Sequence, residues 1–170
     1  MGISAGSAMG LSAVGYYLLA YLVSNLTVFL VVVTASKHLG TDAIDAYGGL
    51  SKRSPFLAAS MFLGFLSLAG VPPLAGFPAK FFVLLATAQQ DKLWLVAIGA
   101  INVAISLYYY LSVVKRLYLN APKDPTPIAL HPATRFTLGL LLLGILLVGI
   151  FQEPLLAHLE RITRAFSPNL

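Results

Sequence analysis

Lys80 is the residue whose position most invites chemistry. It is the one charged side chain between Pro55 and Gln90, a run of 36 residues that is otherwise apolar or neutral. Ten residues separate it from Gln90, roughly 15 Å of helical rise. That depth is near a bilayer midplane, and a lysine stem of about 6 Å does not readily reach the surface from there. Just before it the chain reads LAGVPPLAGFP, with Pro72, Pro73 and Pro78 beside Gly70 and Gly76. Proline removes a backbone donor and blocks the preceding turn, so a helix is expected to break within Val71–Gly76. A lysine beside an unwound stretch is the architecture of an ion-coupled site, and an amine in low dielectric can take up and release a proton. The competing role is an interfacial anchor at the end of a shorter span.

The residues that accompany Lys80 are sparse. Asn102, Ser106 and Tyr109 recur at helical spacing on one face and offer polar company, either as partners of Lys80 or as interhelical glue. Ser24, Asn25 and Thr27 read as helix packing. All six carboxylates, at 42, 45, 91, 124, 153 and 160, fall in loops or at span ends. Lys80 therefore calls for a partner in water, in another chain or in an upstream segment. With no cysteine, the chain has no thiolate for an iron–sulfur cluster. His38, His131 and His158 lie outside the central spans without ligand-like spacing, so no metal or cofactor is expected in this chain.

The elements that must position these residues are membrane helices. Hydrophobic residues make up 58% of the chain and charged ones 10%, against about 25% charged in a soluble domain. The pattern predicts an all-α, polytopic transmembrane bundle forming one membrane domain. Its four spans are expected at 11–36, at 55–90 broken near 71–76, at 93–119 and at 136–151. The second is too long for one span, at about 54 Å, and too short for two. After Pro154, the residues Leu155, Leu159, Ile162 and Phe166 share one face, which predicts an amphipathic helix over 154–166 lying in the interface. The net charge of +5 sits at span ends and in loops, a pattern that orients helices in lipid and does not bind nucleic acid. Seven Lys/Arg lie in the two connections 37–54 and 115–135, against Lys92, Arg161 and Arg164 on the other side. The positive-inside rule places those connections in the cytoplasm and both termini outside.

These residues also carry a family resemblance. SLAGVPPLAGFPAKFFVL (67–84) resembles the signature of the antiporter-like proton-translocating membrane subunits of NADH–quinone oxidoreductase, respiratory complex I. LSAVGYYLLAYLVSNLTVFLVV (11–32), GGLSKRSP (48–55) and ISLYYYLSVVKRLY (105–118) fit the pattern of its bacterial subunit N. The resemblance implies the last four of fourteen helices, in a bacterial inner membrane, with Lys80 as the lysine of the broken helix and a proton relay. It implies partners in the other membrane-arm subunits and in an N-terminal half that precedes this stretch. It also implies FMN and iron–sulfur clusters in other subunits, which oxidise NADH and reduce quinone. An Mrp-type Na⁺/H⁺ antiporter subunit shares the broken helix and is the alternative; a non-pumping structural remnant is another.

Overall fold

The computed structural model describes residues 1–2, 7–122 and 124–166. Lys123 and the side chains of Arg164 and Phe166, which entered the charge and face arguments above, lie outside what is described. Among the described residues the secondary structure is helical throughout. Helix α1 spans Ala8–Leu39, and a 3-10 turn at Ile44–Tyr47 leads into the short α2 (Leu50–Arg53). Helices α3 (Pro55–Ala69) and α4 (Gly76–Ala88) are the two halves of the broken segment. They are followed by α5 (Leu93–Leu119), α6 (Pro132–Ile150) and α7 (Gln152–Phe166).

Local chemistry accounts for these boundaries. Ser7 caps α1 by accepting from the Gly10 N–H, and Gly40 closes it at φ 70° in the left-handed region that glycine favours. Pro55 sits in the first turn of α3, where its missing N–H costs nothing. The last span starts earlier than the hydropathy suggested, at Pro132 in place of Phe136. The reason is a cap: His131 accepts from the Ala133 N–H at 3.3 Å, and Pro132 presets the first helical φ. Arg135 therefore lies in the first turn of α6, over the ring of Phe56 at 5.5 Å.

Among the described residues, three helices, within α1, α5 and α6, are long and apolar enough to cross a membrane. The halves α3 and α4, at 15 and 13 residues, are about 22 and 20 Å long, so neither alone spans a hydrocarbon core of about 30 Å. Helix α1 is central: α3, α4, α6 and α7 all pack on it, while α5 joins through α3 and α4. The core has two apolar layers. One joins Val31, Tyr47, Leu57, Phe65, Leu117 and Leu138 near the 40–54 connection. The other joins Tyr16, Ala20, Leu74, Ala79, Ile145 and Val148 below the break. Between them α1 and α3 approach closely, because a Cβ on Gly64 would meet Val28 Cγ2 at 2.8 Å. The 120–131 connection is pinned over α2 by Arg53, whose guanidinium bonds the Thr126 carbonyl at 2.8 Å and Asp124 at 3.2 Å. The hydroxyl and the N–H of Thr126, with Arg53 adding to them, hold the Asp124 carboxyl below its usual range.

Helix α7 is amphipathic in sequence, and its apolar side meets α1: Leu159 lies against Gly15, and Leu155 packs on the lower core layer. Ile162 is exposed.

Helix α6 packs on the unwound stretch itself. A Cβ on Gly149 would overlap the Pro73 carbonyl and come within 2.7 Å of Leu74 C and 2.8 Å of Ala75 N. Gly139, on the same helix, has nothing within 4 Å of its would-be Cβ. Gly149→Ala is therefore expected to destabilise the assembled protein by about 1–3 kcal/mol. Gly139→Ala should be neutral or stabilising by up to about 1 kcal/mol, since alanine is the better helix former. Thermal denaturation of the purified membrane assembly checks both; equal melting temperatures would refute the close approach.

Candidate functional site: the broken helix and Lys80

Breaking a helix inside a bundle frees backbone donors and acceptors that must find new partners. Here each half-helix supplies a side chain that closes the other. At the end of α3, Gly70 adopts φ 87° and donates to the Leu66 and Ser67 carbonyls, and Val71 N–H reaches Leu66 O at 3.0 Å. Pro72 and Pro73 have no N–H to satisfy, and Leu74 N–H bonds Val71 O at 3.1 Å across them. The Ala69 carbonyl, left free by the break, accepts from Lys80 Nζ at 2.9 Å. In the opposite direction, the Gly76 N–H that opens α4 donates to Ser67 Oγ of α3 at 3.3 Å. Gly76 must lack a side chain, since a Cβ there would overlap the Ser67 carbonyl oxygen.

Ser67 also links the break to α1. Its hydroxyl lies 2.7 Å from Ser24 Oγ, which in turn bonds the Ala20 carbonyl at 2.7 Å. Both serines are fully buried. Ser24 thus does more than pack: it belongs to a polar layer between the two apolar ones. The sequence offered a signal for this. Ser67 stands three residues before Gly70, the position from which a hydroxyl can reach over a break, but its partner was visible only in three dimensions.

Lys80 is half-buried, and its stem rests on Gly70, where a Cβ would come within 3.0 Å of Lys80 Cδ. Its ammonium lies at the C-terminal end of α3, where the helix dipole and a free carbonyl both favour positive charge. Lys80 opens on a cavity of about 260 Å³ between α1, α3, α4 and α5. Asn102 and Ser106 line it, as their shared face implied, together with Tyr17, Tyr21 and Tyr110. Tyr109, the third residue of that face, lines a neighbouring cavity of about 290 Å³ and is largely exposed. Tyr110 takes the place beside Lys80 because it points back toward α3, where its ring stacks on Phe65 at 5.2 Å. Among the described residues, no carboxylate lines the Lys80 cavity and no group of side chains could hold a metal ion.

This arrangement can hold one exchangeable proton on an amine, beside hydroxyl and amide groups that can order water. If Ser67 closes the break, Ser67→Ala strands the Gly76 N–H and leaves the Ser24 hydroxyl only its bond to the Ala20 carbonyl. We expect a loss of about 1–3 kcal/mol, the usual cost of orphaned buried polar groups. Ser60→Ala, which removes a bond only to the carbonyl of Phe56 in the same helix, should cost less than half as much. Denaturation of the two variants side by side tests this, and equal losses would show that Ser67 is ordinary packing.

Residues 1–106 match the family described as NADH:quinone oxidoreductase/Mrp antiporter, transmembrane. The NADH-quinone oxidoreductase subunit N of Moorella thermoacetica is 36% identical over 156 residues, covering 91% of this chain and 33% of its own length. The subunit N 2 of Solidesulfovibrio magneticus is 41% identical over 155 residues, with the same shares covered. The chain spans about a third of the length of the curated relatives it matches. A chain of respiratory complex I from Thermus thermophilus with bound NADH superposes with a TM-score of 0.85 at 28% identity, covering 98% of this chain and 35% of that one. With more than half of its residues matched, and with the helical arrangement of a solved relative, this chain belongs to the NADH:quinone oxidoreductase/Mrp antiporter transmembrane family.

Proposed function

We propose that the chain forms the C-terminal portion of a subunit N in the proton-translocating membrane arm of an NADH–quinone oxidoreductase, and that Lys80 is its proton relay. The observation that carries this reading is the Lys80 ammonium seated on the broken helix, bonded to Ala69 O and open to a polar cavity. The relatives' names support the enzyme class. In such an assembly NADH oxidation and quinone reduction belong to other subunits, with their FMN and iron–sulfur clusters. This chain alone carries no catalytic activity. Its partners are the other membrane-arm subunits, an upstream N-terminal half, and lipid.

The relay works by electrostatics. Protonated Lys80 is stabilised by the α3 C-terminus and by the Ala69 carbonyl. A positive charge arriving about 10 Å away, at an effective dielectric near 20, opposes the ammonium by roughly 1.7 kcal/mol. That exceeds a tenfold change in the protonation equilibrium, enough to drive release. Asn102 and Ser106 supply donors and acceptors along which the proton leaves. In this reading the bundle sits in the bacterial inner membrane with four crossings, α3 and α4 together making the second. Helix α7 lies at the outer surface with its polar face toward headgroups.

Three substitutions test the role of Lys80 in a reconstituted complex that assembles. Lys80→Ala removes the amine, and Lys80→Met keeps most of the stem against Gly70 without it. Both are expected to cut proton pumping and coupled quinone reduction by about 10²-fold or more, the range for loss of a positioned proton carrier. Lys80→Arg should impair pumping as well, because guanidinium does not readily release its proton. Normal pumping by Lys80→Met would leave Lys80 as a cap of the broken helix and nothing more.

Orientation has its own test. The chain has no cysteine, so Lys52→Cys creates a unique thiol on an exposed residue of the 40–54 connection. With that connection in the cytoplasm, impermeant thiol reagents should fail to label it in whole cells and should label it in inverted vesicles. Ready labelling from outside would invert the topology.

A further inference from the structure

Beside the broken helix, where a pocket of about 20 Å³ also borders Ser67 and Lys80, two larger cavities meet. The first holds Lys80 with Asn102 and Ser106. The second runs from the level of Asn25 toward the 40–54 connection, where Asp42 and Tyr47 line it. Burial and then the Asp42 carboxylate push the Tyr47 phenol above its usual range. Of the residues lining the two cavities, Leu68 and Tyr110 are common to both. Leu68 has no polar side-chain atom. Tyr110 is therefore the polar residue common to both linings, with its ring held by the stack against Phe65.

We infer that Lys80 is loaded from the Asp42 side, and that Tyr110 is the relay by which a proton crosses between the two cavities. The inference rests on the proton-relay reading above. Each cavity has room for several waters at about 30 Å³ apiece, and each offers more than the two to four polar partners that ordered water needs. Asp42 stands at the mouth as a solvent-exposed carboxylate. A proton arriving through water binds the Tyr110 phenol oxygen as the phenol's own proton leaves through water to the Lys80 amine, which becomes an ammonium. One O–H bond breaks on the water that delivers the proton and one on the phenol, one O–H bond forms on the phenol and one N–H bond on the amine, and no electron moves. The titratable side chains that line the Lys80 cavity from the packed elements are Tyr17 and Tyr21 of α1 and Tyr110 of α5. Of these, Tyr110 alone borders the Asp42 cavity. Tyr109 borders only that cavity, so its hydroxyl cannot substitute.

The experiment uses the complete complex in inverted vesicles, with two readouts. Tyr110→Phe keeps the ring and its stack on Phe65 while removing the hydroxyl. It is expected to slow proton pumping at least about fivefold, a modest loss on the scale of proton-transfer catalysis because water can partly bridge the gap. Pumping at the wild-type rate would overturn the inference. Separately, Lys80→Cys provides the single thiol of this chain. A cationic methanethiosulfonate applied from the side of the 40–54 connection should modify it, read as the mass of this chain. Tyr110→Trp, which keeps an aromatic face and adds bulk at the septum, should slow that modification at least tenfold. Modification only from the opposite side, or at an unchanged rate with Tyr110→Trp, overturns the inference whether or not the variant pumps. If Lys80→Met stops pumping while Tyr110→Phe does not, the relay reading stands and this route fails. If Lys80→Met pumps normally, the relay reading itself fails.

Discussion

A backbone that leaves the helix inside a membrane bundle must have its freed N–H and C=O groups satisfied by protein, since lipid offers none. The rest of this structure follows from how that demand is met between Gly70 and Gly76. Ser67 of α3 reaches forward to the first N–H of α4, and Lys80 of α4 reaches back to the last free carbonyl of α3. The exchange is reciprocal, so each half-helix is capped by the other. A lysine is thereby brought to the depth of the break with its charge facing the negative end of a helix. In the proposed reading, the structural role and the chemical one reside in the same bond. A change in the charge of Lys80 acts directly on the hinge that holds the two halves together.

The surrounding helices are arranged to support that closure. Ser24 on α1 holds Ser67 from the other side and lies between two apolar core layers, so the polar layer is buried and specific. Gly149 lets α6 press its backbone on the unwound stretch, and the Tyr16 hydroxyl ties α6 to α1 through the Val148 carbonyl. With α1 on one side and α5 on the other, the broken helix forms the floor of a cleft lined by tyrosines, amides and hydroxyls. Lys80 opens on that cleft.

At the level of single elements, much was legible in the chain itself. Apolar runs longer than a bilayer required spans, and proline with glycine at 70–76 required a break, because both effects are local and act through backbone geometry. Helix α5 falls at 93–119 as its composition implied. The start of α6 was misjudged by four residues, because hydropathy registers apolar content and does not register the histidine cap that begins the helix at Pro132. Asn102 and Ser106 line the cavity on which Lys80 opens because they share one helical face. Tyr109 and Tyr110 exchanged roles because periodicity does not say which of two adjacent tyrosines a neighbouring helix will draw inward.

The amino-acid sequence by itself determined that this is a membrane protein, where its helices run, where one of them must break, and that a lone lysine stands beside the break. Each of these depends on side-chain type and spacing along one segment. Only the tertiary structure decided what closes the break and what Lys80 touches. Ser24 and Ser67 are 43 residues apart, and α6 meets the unwound stretch from more than 70 residues away. Such pairings are chosen by which helix faces can approach closely. That depends on glycine and serine at matching heights on separate helices, a property no single segment carries.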